Sequence, residues 1–173
     1  MSLIAFLRES LRGLHGALEE AVRDLTPAQL HWRPNDLGAH IAFNLWHYVR
    51  TEDNVVRFVL QRRPTVWMEG GWHERFGLDA KAQGTGMSPE AAAAVRLPSV
   101  EAFLPYMLGV WRATEEYLDA SGEGELERLV KLWPHDEVPV RRALGNVCLT
   151  HGYSHLGEIW HLRALQGLKG SPV

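Results

Sequence analysis

Apolar residues recur every three to four positions along much of the chain, which is the period of an amphipathic α-helix. In the first such stretch they occur at Leu3, Phe6, Leu7, Leu11, Leu14, Leu18, Val22 and Leu25. This period, with cap residues, prolines and glycines at its borders, predicts four long helices over residues 3–25, 36–61, 99–120 and 140–166. The sequence therefore predicts an all-α protein.

The connections between these helices predict how they are arranged. Nearly forty residues separate the second helix from the third, and they are rich in Gly and Trp, with a short helix start at Ser88-Pro89. A crossover of this length lets two helices run parallel, whereas short connections join antiparallel neighbours. We therefore expect a single domain over residues 1–173, folded as a four-helix bundle with up-down-down-up topology.

Three local signals refine the helix borders. Thr26-Pro27 combines an N-cap with a proline at the first helical position, so a short helical turn is expected there. Asp36 is the expected N-cap of the second long helix. Pro105 lies inside the third helix and is expected to kink its early turns.

Composition and charge exclude several classes of partner. The 173 residues are 46% hydrophobic, and 18 basic against 21 acidic residues give a net charge of −3 without a basic run, so nucleic acid is not an expected partner. Cys148 is the only cysteine and no signal-peptide layout is present, which favours a cytoplasmic location. The apolar runs are too short for a membrane segment.

Two histidines in the last predicted helix carry the main chemical signal. His151 and His155 are four residues apart and therefore lie on one helix face, where both imidazoles can reach one metal ion. Gly152 stands where the H-E-x-x-H metalloproteases have their general-base glutamate, so the peptidase interpretation lacks its catalytic group. The stripe of Leu144, Cys148, His151, His155, Leu162 and Leu165 is expected to face the core.

A third ligand is needed, because catalytic zinc sites generally use three protein ligands and leave one position open. The second predicted helix offers His40 and His47, which share a face with Asn44 and Thr51. His47 is preferred, since it lies in the apolar middle of the helix between Trp46 and Tyr48. A lone buried histidine is more often a hydrogen-bonded core residue than a ligand, but the His151 and His155 pair reverses that balance.

Several segments resemble one known family over almost the full length of the chain. Residues 25–34 are similar to its connection between the first two helices, residues 45–53 to its histidine-bearing second helix, and residues 151–167 to its last-helix signature. Residues 71–77 resemble a crossover segment found in one of its branches. The family is that of the DinB-like (DinB/YfiT-like) metalloenzymes.

The resemblance implies a four-helix bundle that binds a divalent metal, nickel or zinc. One histidine of the second helix and two of the last would be the ligands, which by position are His47, His151 and His155. Characterised members include thiol transferases and a mycothiol-dependent maleylpyruvate isomerase, so a low-molecular-weight thiol cofactor is implied as well. Members of this family commonly form dimers, and we expect a homodimer.

Other polar residues have two interpretations each. Glu158 would orient a ligand or move a proton, or else form an ion pair at the rim of the bundle. Arg50 and Asp53 are expected to form a structural pair, and Cys148 to pack in the core. Surface positions are expected for Arg62, Arg63 and Arg75, and either a pocket or the core for Trp46, Trp67, Trp72, Trp111, Trp133 and Trp160.

Three classes of function follow from these residues. The leading one is a metal-dependent transferase, isomerase or hydrolase acting on a small molecule. The second is a non-catalytic, stress-linked metal-binding protein with a closed ligand shell. A di-iron carboxylate bundle is set aside because no helix has Glu-x-x-His at a core position. The crossover at residues 66–86 is expected to shape the mouth of the site or the dimer contact, or else to cover the bundle of a monomer as a lid.

Overall fold

The computed structural model describes residues 2–132 and 135–171, and most of them are helical. The four longest α-helices of these residues are numbered in chain order as α1 Leu3–Val22, α2 Ile41–Asp53, α3 Val100–Ala120 and α4 His151–Leu165. A π-helical segment, Asn54–Leu60, extends α2, whereas Val140–Arg142 and a second π-helical segment, Ala143–Thr150, lead into α4. Shorter helices are Pro27–Leu30, Val66–Glu69, Trp72–Phe76, Pro89–Ala94 and the 3₁₀ turn Glu123–Glu127.

The long helices pack around a common apolar core. Helix α1 contacts both α3 and α4, and α2 also contacts both α3 and α4. Fully buried side chains come from each of them and from the segment before α4, among them Leu11, Leu14, Leu18, Leu45, Trp46, Phe103, Met107 and Leu144. The predicted helical class is thereby confirmed, while the up-down-down-up order of the helices stays a prediction. No helix in the described stretches has both the length and the apolar character needed to cross a membrane.

A small antiparallel hairpin, β1 Leu129–Leu132 paired with β2 His135–Pro139, departs from the all-α prediction. Exposed and buried side chains alternate along β1. Strand signals span four to eight residues, so the four residues of β1 are at the lower limit and are hard to tell from the helical pattern on either side.

The start of α2 differs from the sequence prediction. Asp36 is exposed and does not cap the helix, which begins at Ile41. His40 is the N-cap, and its Nδ1 accepts a hydrogen bond from the backbone N–H of Phe43 at 2.9 Å. Asn35 instead closes a turn, since its side-chain oxygen accepts from the two backbone N–H groups of residues 37 and 38. Asp is among the residues preferred at an N-cap and His is not, which explains why Asp36 was predicted as the cap.

The His40 imidazole is fully buried, and this controls its protonation. Burial is the main reason that the pKa of His40 is lowered from 6.5 to about 4, and the charge of His31 lowers it further. The unfolded chain therefore binds more protons than the folded one between these two values. Stability contributed by neutral His40 is present above pH 6.5 and is lost as the pH falls towards 4.

Replacing His40 with asparagine is expected to weaken this pH dependence. Asparagine is a good N-cap and does not titrate, so the cap stays while one proton-binding group disappears. Between pH 5 and 6 the slope of unfolding free energy against pH should fall by up to about 1.4 kcal/mol per pH unit. Urea unfolding at several pH values measures it. His161→Asn, at an exposed histidine, is the control, and an unchanged slope in His40→Asn contradicts the assignment.

Candidate metal centre

Three histidines from two packed helices meet in the structure. His47 lies in α2, while His151 and His155 occupy the first two turns of α4. One ring nitrogen of each lies within 4.8 Å of the others. The Nε2 atoms of His151 and His155 are 2.9 Å apart, and the ring of His47 lies with its centroid 5.1 and 5.0 Å from theirs. The three histidines chosen from the sequence are therefore the ones that the fold brings together.

Hydrogen bonds to two of these rings fix the position of the ring proton. The Nδ1 of His47 contacts the backbone carbonyl of Gln83, and the Nδ1 of His155 lies 2.8 Å from a carboxylate oxygen of Glu158. A carbonyl or ionised carboxylate oxygen can only accept, so Nδ1 donates in both rings. Each Nε2 then carries its lone pair towards the other histidines, which is the tautomer that binds metals through Nε2.

These residues fit a divalent metal ion. At 2.9 Å the Nε2 atoms of His151 and His155 can share a proton, and a metal ion bound by the three rings would take the place of that proton. Three imidazoles are a donor set suited to zinc and nickel, and ligation at about 2.1 Å places ligand nitrogens roughly 3 to 3.5 Å apart. The buried Nδ1 of His151 has no hydrogen-bond partner in the described part of the chain.

Burial favours the neutral form of His47 and His151, which is the form that binds a metal. Burial lowers the pKa of His151 from 6.5 to about 4, and the charges of His155 and His47 lower it further. Burial likewise lowers the pKa of His47, against the hydrogen bond to Gln83. The hydrogen bond from His155 lowers the pKa of Glu158, so this carboxylate is ionised and can hold the His155 ring.

The crossover between α2 and α3 is tied to the helix that carries His47. The carboxylate of Asp53 accepts hydrogen bonds from the backbone N–H groups of Val66 and Trp67 at 2.8 and 2.9 Å. Arg50 pairs with Asp53 at 3.3 Å, as predicted, and donates from Nε to the carbonyl of Ala82 at 3.2 Å. Both anchor residues are buried, and they lie about one and two turns after His47 on the same helix. The crossover therefore approaches His47 in a fixed register.

Gly84 is required at the point where the crossover touches His47. Its φ of +94° lies in the region that favours glycine. A Cβ added there would lie 2.8 Å from the Nδ1 of His47 and 3.1 Å from the ring of Phe43. Neither this contact nor the Gln83 carbonyl beside it is predicted by the sequence pattern, although the Gly84-Thr85-Gly86 run indicates an unusual backbone conformation.

Two clefts open onto the histidines. The larger has a volume of about 1030 Å³ and reaches His47 and His151, whereas the smaller, of about 560 Å³, reaches His47, His155 and Glu158. The crossover residues Gly84 and Thr85 line both of them. The histidines are therefore accessible from two sides, and the crossover separates the two entrances.

Gly152 lets α4 pack closely against its neighbours. A Cβ at this position would lie 2.4 Å from Leu14 and 2.6 Å from the ring of Tyr48. The space that a side chain at residue 152 would need is therefore occupied by side chains of α1 and α2. Between the two histidines of α4 there is consequently no room for the general base of a metalloprotease, in agreement with the sequence interpretation.

The remaining candidate ligands lie elsewhere. Cys148 is fully buried in the core and is not part of the histidine cluster. Burial raises its pKa well above the ordinary value, so it is a thiol and packs as predicted. His40 caps α2 and contacts the crossover rather than the site. The prediction for Leu165 was wrong, because this side chain is exposed at the last turn of α4, beyond the helix contact.

The described tryptophans and the three crossover arginines lie outside the linings of both clefts. Trp46, Trp67, Trp111 and Trp160 are buried in the core, and none of the described tryptophans lines either cleft, whereas Trp133 lies outside the described residues. The arginines Arg62, Arg63 and Arg75 are exposed, as predicted, with Arg75 stacked over Trp72. The apolar walls of the clefts come from aliphatic side chains, together with Phe58 in the larger cleft and Phe43 in the smaller one.

Comparison with known proteins places this site in a family. The model of the DinB superfamily matches residues 10–159, a range that contains all three histidines. The chain belongs to the DinB superfamily. A crystal structure described as that of the conserved protein of locus from Enterococcus faecalis has the same fold, with a TM-score of 0.82 over 95% of this chain and 97% of the other. At 24% identity this similarity shows the fold alone. No curated protein matches this DinB-superfamily chain.

Proposed function

We propose that this DinB-superfamily protein is a metal-dependent enzyme in which His47, His151 and His155 bind a divalent ion, nickel or zinc. The main support for this proposal is the convergence of three imidazoles. In His47 and His155 an oxygen acceptor holds the proton on Nδ1, so that Nε2 faces the cluster. A bound divalent ion would supply Lewis acid chemistry and lower the pKa of a bound water or thiol.

An open ligand shell favours an enzyme over a storage protein. Among the described His, Cys, Asp and Glu side chains, no fourth one joins the cluster. Two clefts instead lead to it, which leaves room for a small substrate beside the ligands. Glu158 holds the ring of His155 and is about half exposed in the smaller cleft, where it can also accept a proton from a ligand.

The reaction that we propose is a transfer, isomerisation or hydrolysis of a small molecule in the cytoplasm, with a low-molecular-weight thiol as cofactor. Membership of the superfamily supports this class, because the resemblance described above includes thiol-dependent transferases and an isomerase. The net charge of −3 supports the proposal that nucleic acid is not the substrate.

Metal titration tests the core of the proposal. The protein stripped of metal and titrated with Zn²⁺ or Ni²⁺ should bind one equivalent per chain, and crystals of the loaded protein should show one anomalous-scattering peak among the three histidines. Absence of stoichiometric binding for both metals, with the fold intact, contradicts the assignment.

A spectroscopic experiment separates the enzyme from the closed, non-catalytic metal site. Cobalt(II) is a visible probe of coordination and takes the same kinds of ligand as zinc. If one position is open, adding a low-molecular-weight thiol should change the visible spectrum of the cobalt-loaded protein. A spectrum that does not respond to thiol, azide or cyanide indicates a closed shell and supports the stress-linked alternative.

Gly84→Ala is expected to weaken metal binding about 10- to 100-fold, the usual effect of disturbing a group that orients a ligand. The added methyl group would collide with His47 and strain a backbone of φ +94°. Gly86→Ala is the matched control, because Gly86 also has a positive φ of +75° but has open space around its Cβ position. Competition with a chelator measures both affinities. Equal losses in the two variants would mean that backbone strain, rather than contact with His47, is responsible.

We also propose an up-down-down-up bundle that assembles as a homodimer. Exposed large apolar side chains such as Leu3, Phe6 and Leu37 support association, since a lone chain leaves them in water. Light scattering at micromolar concentration should give twice the chain mass. A clean mass near 19.6 kDa contradicts the dimer.

A further inference from the structure

The larger cleft is built from unusual helix geometry. The two π-helical segments both line it, the first through Asn54, Val55, Phe58 and Val59, and the second through Asn146 and Val147. Such π-helical turns are rare and occur frequently at functional sites. The cleft therefore lies between the main helices of the fold, with His47 and His151 at one end.

The walls of this cleft are mostly apolar. They include Val55, Phe58, Val59, Met87 and Leu132, and Phe58 is 62% exposed although it is a large aromatic residue. Apolar walls with a few polar groups are typical of small-molecule sites, and such sites have volumes of about 300 to 1,000 Å³. A ligand of this cleft would thus have an apolar body.

The charged side chains described in the lining of the cleft are all basic. Apart from the histidines, its ionisable lining residues are Lys81 and Lys131, and no acidic residue of the described chain lines it. These are two of only three lysines in a protein whose net charge is −3. Neither forms an ion pair within 4 Å with any side chain that the structure describes, although Glu137 stands opposite Lys131 in the hairpin. The two ammonium groups are therefore available to a ligand.

We infer that the larger cleft binds the substrate, and that this substrate is a small molecule with an apolar body and an anionic group held by Lys81 and Lys131. This inference rests on the proposed function, because it places the reacting end of the molecule beside His47 and His151. The lysines set specificity, since their charges attract an anion whereas the apolar walls accept its body.

A pair of dyes that differ only in charge tests the inference. The anionic probe is 8-anilino-1-naphthalenesulfonate, and its uncharged counterpart without the sulfonate is N-phenyl-1-naphthylamine. Both gain fluorescence on entering an apolar site, so dissociation constants follow from titration. Metal-free protein should bind the anionic dye more tightly, and 1 M salt should reduce that preference because it screens exposed charges.

Substitution of the lysines identifies the site. Lys81→Gln and Lys131→Gln should each weaken anionic-dye binding about 2- to 5-fold, the range for exposed charge pairs, and the double variant should remove the preference over the neutral dye. The neutral dye should bind all variants alike. Lys169→Gln is the matched control, because it removes the third lysine, which lies near the C-terminus and outside both clefts.

The outcomes separate this inference from the metal site. Zinc stoichiometry is measured on each lysine variant, and it should equal that of the parent protein. Loss of dye preference in the double variant, with zinc stoichiometry equal to that of the parent, supports the inference. The dyes are titrated on metal-free protein, so this result does not depend on whether the parent binds zinc. Equal affinity for the two dyes, an undiminished preference in the double variant, or no dye binding at all overturns it.

Discussion

Replacing His151 with alanine is expected to abolish stoichiometric metal binding while the helical content stays nearly unchanged. His151 supplies one of three converging nitrogens, and two ligands rarely hold a catalytic ion at stoichiometric occupancy. The apolar core of this protein holds the helices together without a bound metal, whereas a small zinc module unfolds when its metal is removed. Metal analysis after dialysis and far-UV circular dichroism measure the two effects. His47→Ala and His155→Ala should behave in the same way.

His161→Ala is the control for this experiment. His161 lies on the same helix and lines the smaller cleft, but it is not part of the cluster. Its removal should leave metal stoichiometry unchanged. Wholesale loss of helicity in His151→Ala would instead show that the site is structural, and retention of a full equivalent of metal would show that His151 is not a ligand.

Replacing His15 with alanine is expected to lower the free energy of unfolding by about 3 to 5 kcal/mol, the usual cost of leaving a buried charge without its partner. Glu52 is fully buried between α1, α2 and α3, and one carboxylate oxygen lies 3.0 Å from the Nε2 of His15. Tyr48 and Thr114 also donate to this carboxylate, at 2.5 and 2.6 Å. Burial would raise the pKa of Glu52, but the charge of His15 and these hydrogen bonds outweigh it and lower the pKa.

Two further variants show whether the unpaired charge of Glu52 causes the loss of stability in His15→Ala. Arg12→Ala, one turn earlier on α1, removes an exposed pair with Glu115 and should change stability little. The double variant His15→Ala/Glu52→Gln should be more stable than His15→Ala alone, because the glutamine is neutral. Urea unfolding at pH 7 measures all of them. If the double variant is no more stable, the loss comes from packing of the His15 ring on Trp111 rather than from the charge.

The histidines could be predicted from the sequence because helical periodicity is a strong constraint. A spacing of four residues places His151 and His155 on one face, and the apolar stripe around them turns that face inwards. Predicting His47 as the third ligand required further information, since only its place in the apolar middle of the helix distinguishes it from His40. The resemblance to the family and the contact between α2 and α4 agree on His47.

Other features were beyond the sequence for identifiable reasons. The group that orients His47 is the backbone carbonyl of Gln83, and every residue has such a carbonyl, so no sequence signal marks it. His40 replaces the expected cap Asp36 because tertiary burial, rather than local preference, determines where α2 begins. The hairpin depends on pairing between β1 and β2, which a short alternating pattern does not reveal.

The absence of a side chain at Gly152 limits how this scaffold can be changed. A glutamate installed between His151 and His155 would recreate the sequence pattern of a zinc peptidase, and a designer would be drawn to it. The space that its first carbon needs is already filled by Leu14 and Tyr48, and Tyr48 donates a hydrogen bond to the buried Glu52. The substitution would push apart three helices before any new chemistry began. A hydrolytic base for this scaffold has to be introduced from the clefts, for example at Asn146 or Thr85, which line the larger cleft together with His47 and His151.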